Sequence, residues 1–196
     1  MKQRLSLPEN PFIKDYELPK NLYLDKGNRY FPIDKKYLNN ETSSLFKSLG
    51  LEVGGIIVFK KHQFGISPIH TDILLEKKQW TIWNAAVNYN LTKSRSKMMW
   101  FETSLNKVYP IHTHSYQPLD YYLSGIHYGK QSNKDYRDSS FKLLDEEDIQ
   151  APTLVRTDVP HTTINLDNID RICASVRFKN NYTFDELKKK FKEFLI

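Results

Sequence analysis

The sequence predicts a mainly β fold with flanking helices, and three observations support this. Segments 53–60 and 97–102 are apolar runs of strand length. Segment 171–178 alternates between polar and apolar residues, which is the period of a strand with two different faces. Helical patterns are confined to segments 40–49 and 183–195. Strands should therefore build the body of the protein, with helices on its outside.

The first elements follow from proline spacing and capping residues. Residues 1–39 are predicted to form an irregular arm with short strands, because their prolines leave no room for a long helix. A helix over 40–49 should follow, capped by Asn40 or Thr42 and ended by Gly50 in a left-handed conformation. The strand at 53–60 comes directly after it.

The middle of the chain is less regular. Segment 80–89 is interpreted as one strand with Asn84 and Asn88 on the same face, which indicates either a wet interior or a strand edge. After the strand at 97–102, residues 103–150 are polar and rich in tyrosine. We expect an insertion there that borders a pocket and selects the substrate.

The end of the chain predicts two strands and a helix. Segments 153–161 and 171–178 are interpreted as the last two strands, joined by a turn-rich stretch. In segment 171–178 one face is apolar and should meet the helices. The other face carries polar residues and should line a cavity: Arg171, Cys173, Ser175 and Arg177. A capping box, Thr183 with Glu186, opens the final helix over 183–195.

Length and composition restrict the class of protein. At 196 residues the chain is expected to form a single domain, 1–196, and its one cysteine, Cys173, excludes an internal disulfide. The sequence has no apolar run long enough for a signal peptide or membrane span, so we expect a cytoplasmic protein without a membrane partner. The net charge of +6 is scattered along the chain, which makes a nucleic-acid partner less favoured than a peptide, protein or small-molecule substrate.

Three residues suggest a metal site. His70 and Asp72 are two positions apart, so in a strand their side chains project from one face. A histidine from a distant strand would complete a set of two imidazoles and one carboxylate, which leaves open positions on an octahedral iron(II). His161, at the predicted end of a strand, is the candidate for that third ligand.

Two other interpretations compete with this one. His112 and His114 form a second chelating pair of the kind found in cupins, for which His127 is the available partner. Arg171, instead of binding a ligand, can form an internal salt bridge with Asp170 or Asp167. Cys173 is interpreted as a small interior filler rather than a nucleophile.

Taken together, the ordered set His70-Thr71-Asp72, His161 and Arg171 resembles the iron(II)- and 2-oxoglutarate-dependent oxygenases, whose scaffold is the double-stranded β-helix, or jelly roll. Segments 48–52 and 160–178, with Trp83-Asn84, are similar to the aspartyl/asparaginyl β-hydroxylase-like branch and its phage and marine relatives. The resemblance covers roughly residues 45–102 and 152–178. It does not extend to the first 40 residues or to 103–150.

The resemblance implies a role for each site residue. His70, Asp72 and His161 would bind iron(II), at which 2-oxoglutarate and O2 react. Arg171 would bind the far carboxylate of 2-oxoglutarate, although Arg177 is an alternative because Cys173 stands where some relatives have serine. Contacts with the cosubstrate or substrate are expected from Asn84, Ser175 and Trp100.

The implied reaction is hydroxylation of an unactivated C–H bond, on a peptide or protein side chain or on a small molecule. Asp72 favours hydroxylation over halogenation, because related halogenases replace that carboxylate to admit halide. The alternative is a cupin-like metal-binding isomerase or a jelly-roll protein that binds a ligand without catalysis.

Overall fold

A computed structural model describes residues 1–20, 22, 29–67, 69–76, 79–103, 108–112, 122–128 and 140–196. For residues 29–30, 73–76, 79–81, 108–112 and 122–128 it describes the backbone alone. Within these ranges the protein is mainly β, with two antiparallel sheets and two α-helices. The predicted fold class is confirmed at this level.

Among the described residues the first sheet contains six strands, and the two N-terminal strands form its edges. In chain order the strands are β1 (Lys2–Arg4), β2 (Arg29–Ile33), β3 (Val53–Lys61), β6 (Ala85–Asn90), β11 (Thr153–Arg156) and β13 (Arg171–Phe178). In space the order is β1-β11-β6-β13-β3-β2, so the last strand of the chain lies in the middle, between β6 and β3.

The second sheet contains seven strands in the part of the chain that the structure describes. They are β4 (His70–Glu76), β5 (Gln79–Ile82), β7 (Ser96–Thr103), β8 (Val108–His112), β9 (Tyr122–Tyr128), β10 (Phe141–Asp148) and β12 (His161–Asn165). Their spatial order is β10-β7-β12-β4-β9-β8, with β5 paired to β4 beside this row. Strand β4 thus lies next to β12, and His70 stands opposite His161 in the register.

Two predicted strands are each split in two. Segment 153–161 was expected to be one strand, but β11 pairs with β6 in the first sheet while β12 pairs with β7 in the second. Pro160, which has no N–H to donate, lies in the crossing between them. Segment 80–89 is likewise wrong as a single strand, because the chain leaves β5 at Ile82 and enters β6 at Ala85. Asn84 and Asn88 therefore do not share a strand.

Part of segment 103–150 belongs to the sheet. Strand β10 pairs with β7 along its length, and the backbones of β8 and β9 extend the sheet beyond β4. The substrate-side insertion expected here has no described residues between β9 and 140, nor at 113–121.

The outer face of the first sheet carries the main hydrophobic core. Helix α1 (Asn40–Ser48) and helix α2 (Phe184–Lys190) both pack there. Phe178 contacts the rings of Phe46 and Phe191, with centroids 5.2 and 6.3 Å apart. The inner faces of the two sheets meet in a smaller cluster: Ala86, Met98, Trp100, Ile149 and Val155.

Both helices begin with a side-chain cap. The cap of α1 is Asn39, whose side-chain oxygen accepts a hydrogen bond from the Thr42 N–H, so the predicted caps Asn40 and Thr42 were displaced by one to three residues. Gly50 has φ of +65°, as expected for the left-handed residue that ends this helix. The capping box of Thr183 and Glu186 is confirmed, but α2 gives way to a short 3-10 turn (Lys192–Phe194) instead of running to 195.

No helix in the described part of the chain is both long and apolar enough to span a bilayer.

Candidate metal centre

Three predicted ligands converge on the inner face of the second sheet. One nitrogen from His70, one nitrogen from His161 and one carboxylate oxygen from Asp72 all lie within 4.8 Å of one another. His70 Nε2 is 3.4 Å from Asp72 Oδ1, and His161 Nε2 is 3.8 Å from the same oxygen. Because β4 and β12 are neighbours with these histidines in register, strand pairing alone brings residues 91 positions apart together.

His161 is held in the tautomer that a metal ligand needs. The residue is 3% exposed, and its Nδ1 lies 2.8 Å from the carbonyl of Val159. That carbonyl can only accept, so Nδ1 carries the proton and the Nε2 lone pair faces the cluster. Burial, followed by the nearby His70, lowers the pKa of His161 to about 4. The ring is therefore neutral at physiological pH, and its Nε2 lone pair is available to a metal ion.

Asp72 is held at both its backbone and its side chain. Its N–H donates to the carbonyl of Thr157 and its carbonyl accepts from the N–H of Trp83, at 3.0 and 2.9 Å. Its Oδ2 accepts a 2.6 Å hydrogen bond from Arg177 Nη2. Burial by itself would raise the pKa of Asp72, but the charge of Arg177, with help from both histidines, holds this pKa well below its usual range. Asp72 is therefore ionised at physiological pH, and its Oδ1, which does not bind Arg177, faces the two histidines.

Arg177 is a buried residue that links the two sheets at the cluster. It comes from β13 in the first sheet, is 2% exposed, and contacts Asp72 on β4 in the second. Its guanidinium lies 4.9 Å from the centre of the Trp83 ring, a favourable cation–π distance. Its Nε and Nη1 have no hydrogen-bond partner among the described residues. The guanidinium of Arg177 therefore binds Asp72 through Nη2 alone.

Arg171, at the other end of β13, has a different environment. It is 4% exposed, and its Nε donates to Ser96 Oγ on β7 at 2.9 Å. The alternative interpretation as an internal salt bridge is wrong, because Asp170 pairs with Lys60 and Asp167 pairs with Arg95. No carboxylate in the described ranges lies within ion-pair distance of Arg171.

The polar face predicted for β13 is confirmed and faces the cluster side of the protein. Ser175, 2% exposed, lies between Asn88 on β6 and Ile57 on β3 in the register. The side-chain oxygens of Asn88 and Asn90 are buried without a partner among the described residues. Cys173 is buried there as a free thiol. This face is polar, unsaturated in hydrogen bonds and suited to a polar ligand.

Two other predicted contact residues make their side-chain hydrogen bonds to residues outside the set of candidate ligands. The Asn84 side chain donates to the carbonyl of Asn181 at 3.0 Å, and its backbone N–H donates to the Asn181 side chain. Trp100 donates from Nε1 to the carbonyl of Arg156 at 2.9 Å and fills the cluster between the sheets. No described contact joins Asn84 to the metal candidates, and its role in binding a cosubstrate stays a prediction. Trp100 stands opposite His161 in the register of β7 and β12, and its role in binding a cosubstrate also stays a prediction.

The competing histidine pair lies mostly outside the description. His114 falls among residues that the structure does not describe, while His112 in β8 and His127 in β9 are described by backbone alone. In the register His127 stands opposite His70, and His112 stands opposite Ser124. The pairing of His112 with His114 stays a prediction.

Sequence reasoning missed two features. Lys61, at the end of β3, is a buried cation opposite Arg171 in the register. The ion pair of Arg177 with Asp72 was also not foreseen. Alternation along 53–61 would have placed either Lys60 or Lys61 on the inner face, but only the partner strand shows that this position is enclosed.

Searches among protein-family models, curated proteins and solved structures found no match to this chain.

Proposed function

We propose that this protein is an iron(II)- and 2-oxoglutarate-dependent oxygenase that hydroxylates an unactivated C–H bond. One observation carries the proposal: a donor set of two imidazoles and one carboxylate faces a sheet in which the buried Arg171 has no carboxylate partner among the described residues. A protein that only binds a metal needs the donor set. A protein that also holds a metal-chelating dicarboxylate needs, in addition, a cation for the second carboxylate.

The strand order supports a double-stranded β-helix. From β3 to β13 the chain passes repeatedly between the sheets: β3, β6, β11 and β13 lie in the first, and β4, β7, β12 and β10 in the second. Each sheet then has antiparallel neighbours that are distant in sequence, a feature that is expected of a jelly roll and supports this part of the proposal. The candidate ligands sit on β4 and β12, at the inside of this body.

The donor set suits iron(II). Two imidazoles and one carboxylate on one side of the ion are the ligand set of non-haem iron(II) oxygenases, and they leave positions free on the opposite side. His161 would donate through Nε2, since its Nδ1 is occupied by Val159. Asp72 would donate through Oδ1, since its Oδ2 accepts from Arg177. When bound there, iron(II) with 2-oxoglutarate and oxygen supplies oxidation of a C–H bond, with succinate and carbon dioxide as coproducts.

The structure supports Arg171 over Arg177 as the residue for the far carboxylate. Arg177 already pairs with Asp72, so a second carboxylate there would compete with a metal ligand. Arg171 has its terminal nitrogens unpaired within the described residues, and a guanidinium fork fits a carboxylate in two parallel hydrogen bonds. Ser175 and Asn88 lie between the two arginines and would contact the middle of the cosubstrate.

The substrate class is part of the proposal. A peptide or protein side chain, or a small molecule, would approach the free side of the metal. The buried cations and unpaired amide oxygens of the inner face favour a polar or acidic substrate over a purely apolar one. Nucleic acid remains the less favoured partner.

The test is anaerobic titration of the full chain with iron(II), followed by 2-oxoglutarate. We expect one iron(II) per chain and 2-oxoglutarate binding that depends on the metal. His70→Ala should lose both, whereas the matched control His62→Ala, an exposed histidine outside the cluster, should retain both. Succinate release with oxygen and ascorbate then reports turnover.

Other results would redirect the assignment. Iron binding without any 2-oxoglutarate binding would favour the cupin-like isomerase or ligand-binding module. Absence of metal binding by the wild type would refute the proposal.

A further inference from the structure

Lys61 places a second positive charge beside Arg171. It is the last residue of β3, stands directly opposite Arg171 in the register, and is 6% exposed. Ile56 and Val58 belong to the outer hydrophobic core, so alternation puts Lys61 on the inner face with the polar residues of β13. The side chain therefore ends inside the protein, on the same side as Arg171.

The two cations share an environment without a balancing anion. The nearby acids are occupied: Asp170 pairs with Lys60 at 3.0 Å, and Asp167 pairs with Arg95 at 2.8 Å. Across the described parts of the chain, neither Lys61 nor Arg171 has a carboxylate within ion-pair distance. Burying two like charges together is unfavourable unless something compensates them. Consistent with this, burial and then the charge of Arg171 lower the pKa of Lys61 to about 7.

Two hydroxyl groups hold the cations in place. Lys61 Nζ donates to Ser67 Oγ, and Arg171 Nε donates to Ser96 Oγ. These serines come from the second sheet and from the loop that leads into it, so the pair is fixed between the sheets. The terminal nitrogens of Arg171 have no hydrogen bond to a described residue. An ammonium and a guanidinium edge side by side match one carboxylate, which has lone pairs for both.

We propose that Lys61 and Arg171 together bind the far carboxylate of the 2-oxo acid, so that Lys61 is a binding residue and makes the site selective for dicarboxylates. This inference rests on the function proposed above for the same site. It adds a residue, on another strand, that neither the motif nor the metal cluster indicates.

The test compares two 2-oxo acids with the same chelating end. 2-Oxoglutarate has the far carboxylate and 2-oxopentanoate has a methyl group there. Their dissociation constants are measured by calorimetry on the iron(II)-loaded full chain without oxygen. The wild type should prefer 2-oxoglutarate, and Lys61→Met should reduce that preference by at least about tenfold, because a charged hydrogen bond is lost. Affinity for 2-oxopentanoate should stay within about twofold.

The matched control is Lys60→Met. It makes the same change one residue away, on the opposite face of β3, where the lysine pairs with Asp170. This variant should keep the wild-type preference. Lys61→Gln provides a second variant that removes the charge while keeping a polar end. An unchanged preference in both Lys61 variants, or an equal loss in Lys60→Met, would overturn the inference while leaving the oxygenase proposal in place.

A second arm separates the two proposals. Glutarate has the carboxylate end but no chelating 2-oxo group, so its effect on the metal-free protein depends on the cation pair alone. Glutarate should raise the melting temperature of wild type and not of Lys61→Met. If this occurs while neither 2-oxo acid binds the iron-loaded wild type, the anion site stands and the oxygenase proposal fails. If glutarate has no effect and neither acid binds, both fail.

Discussion

Strand β13 has two faces that are almost equally buried and chemically opposite. On the outer face Ile172, Ala174, Val176 and Phe178 pack against the helices. On the inner face Arg171, Cys173, Ser175 and Arg177 have exposures of 1 to 4%. Burial therefore does not distinguish the faces. They differ in whether they bury polar atoms that lack hydrogen-bond partners.

The difference separates stabilising residues from residues that need a ligand. The outer face removes apolar surface from water, at about 25 cal/mol per Å². The inner face buries charges whose hydrogen bonds are incomplete, such as the Nε and Nη1 of Arg177. Incomplete polar burial lowers stability and is expected where a ligand completes it.

The largest loss of stability should come from removing a large apolar side chain from the outer face of β13. Phe178→Ala leaves a cavity between Phe46 and Phe191 and should lower the free energy of unfolding by about 3–5 kcal/mol. Urea denaturation measures this. Iron(II) affinity of the folded fraction should not change. If it falls strongly, the two faces are not independent.

A similar effect should follow from breaking the ion pair across the sheets. Asp72→Ala leaves the Arg177 guanidinium buried without an anion and should cost about 3–5 kcal/mol. Adding Arg177→Met removes the unpaired charge, so the double variant should recover most of the loss. A double-mutant cycle by urea denaturation tests this, and simple additivity of the two changes would contradict it. Neither Asp72 variant should bind iron(II) as the wild type does.

Lys61→Met, on the inner side, should change the free energy of unfolding in the opposite direction from Phe178→Ala. In the ligand-free protein it should raise stability, by about 1–4 kcal/mol, because a buried charge is replaced by an apolar chain of similar length. The gain should depend on pH. Below pH 7 both folded and unfolded states hold the Lys61 proton, and the full cost of the buried charge is present.

Between about pH 7 and the ordinary lysine pKa of 10.5, the unfolded state binds more protons than the folded state. Wild-type stability therefore rises with pH relative to Lys61→Met, and the advantage of the variant shrinks. Thermal melts from pH 6 to pH 10 measure the difference. A constant difference would show that Lys61 does not titrate in this window.

The smallest effect is expected at the edge of the outer core. Thr183→Ala removes the acceptor for the Glu186 N–H and should cost about 1 kcal/mol. Helix α2 would fray, but Leu187 and Phe191 would still hold it against the sheet. Melting temperature measures the loss, and Thr183→Ser should restore it. Binding of 2-oxoglutarate should be unaffected.

Several features were predictable because they depend on local chemistry. The two faces of 171–178, the end of α1 at Gly50, and the capping box of α2 all follow from side-chain periodicity and backbone propensity, whereas the cap of α1 is Asn39 and not the predicted Asn40 or Thr42. The errors occurred where the chain changes sheet. Local features such as Pro160 can interrupt a strand, but they do not show that the two halves of segment 80–89, or those of segment 153–161, pair in different sheets.

The sequence by itself determined the candidate ligands His70, Asp72 and His161, since spacing and residue type predict a chelating set. Only the tertiary structure decided which buried cations lie next to these ligands and which have no anionic partner. Arg177 pairs with Asp72, while Arg171 lies beside Lys61 without an anion in the described chain. The physical reason is that the field at a buried charge depends on which strands are neighbours and which sheets face each other. Those relations join residues about 100 positions apart, and local sequence patterns do not record them.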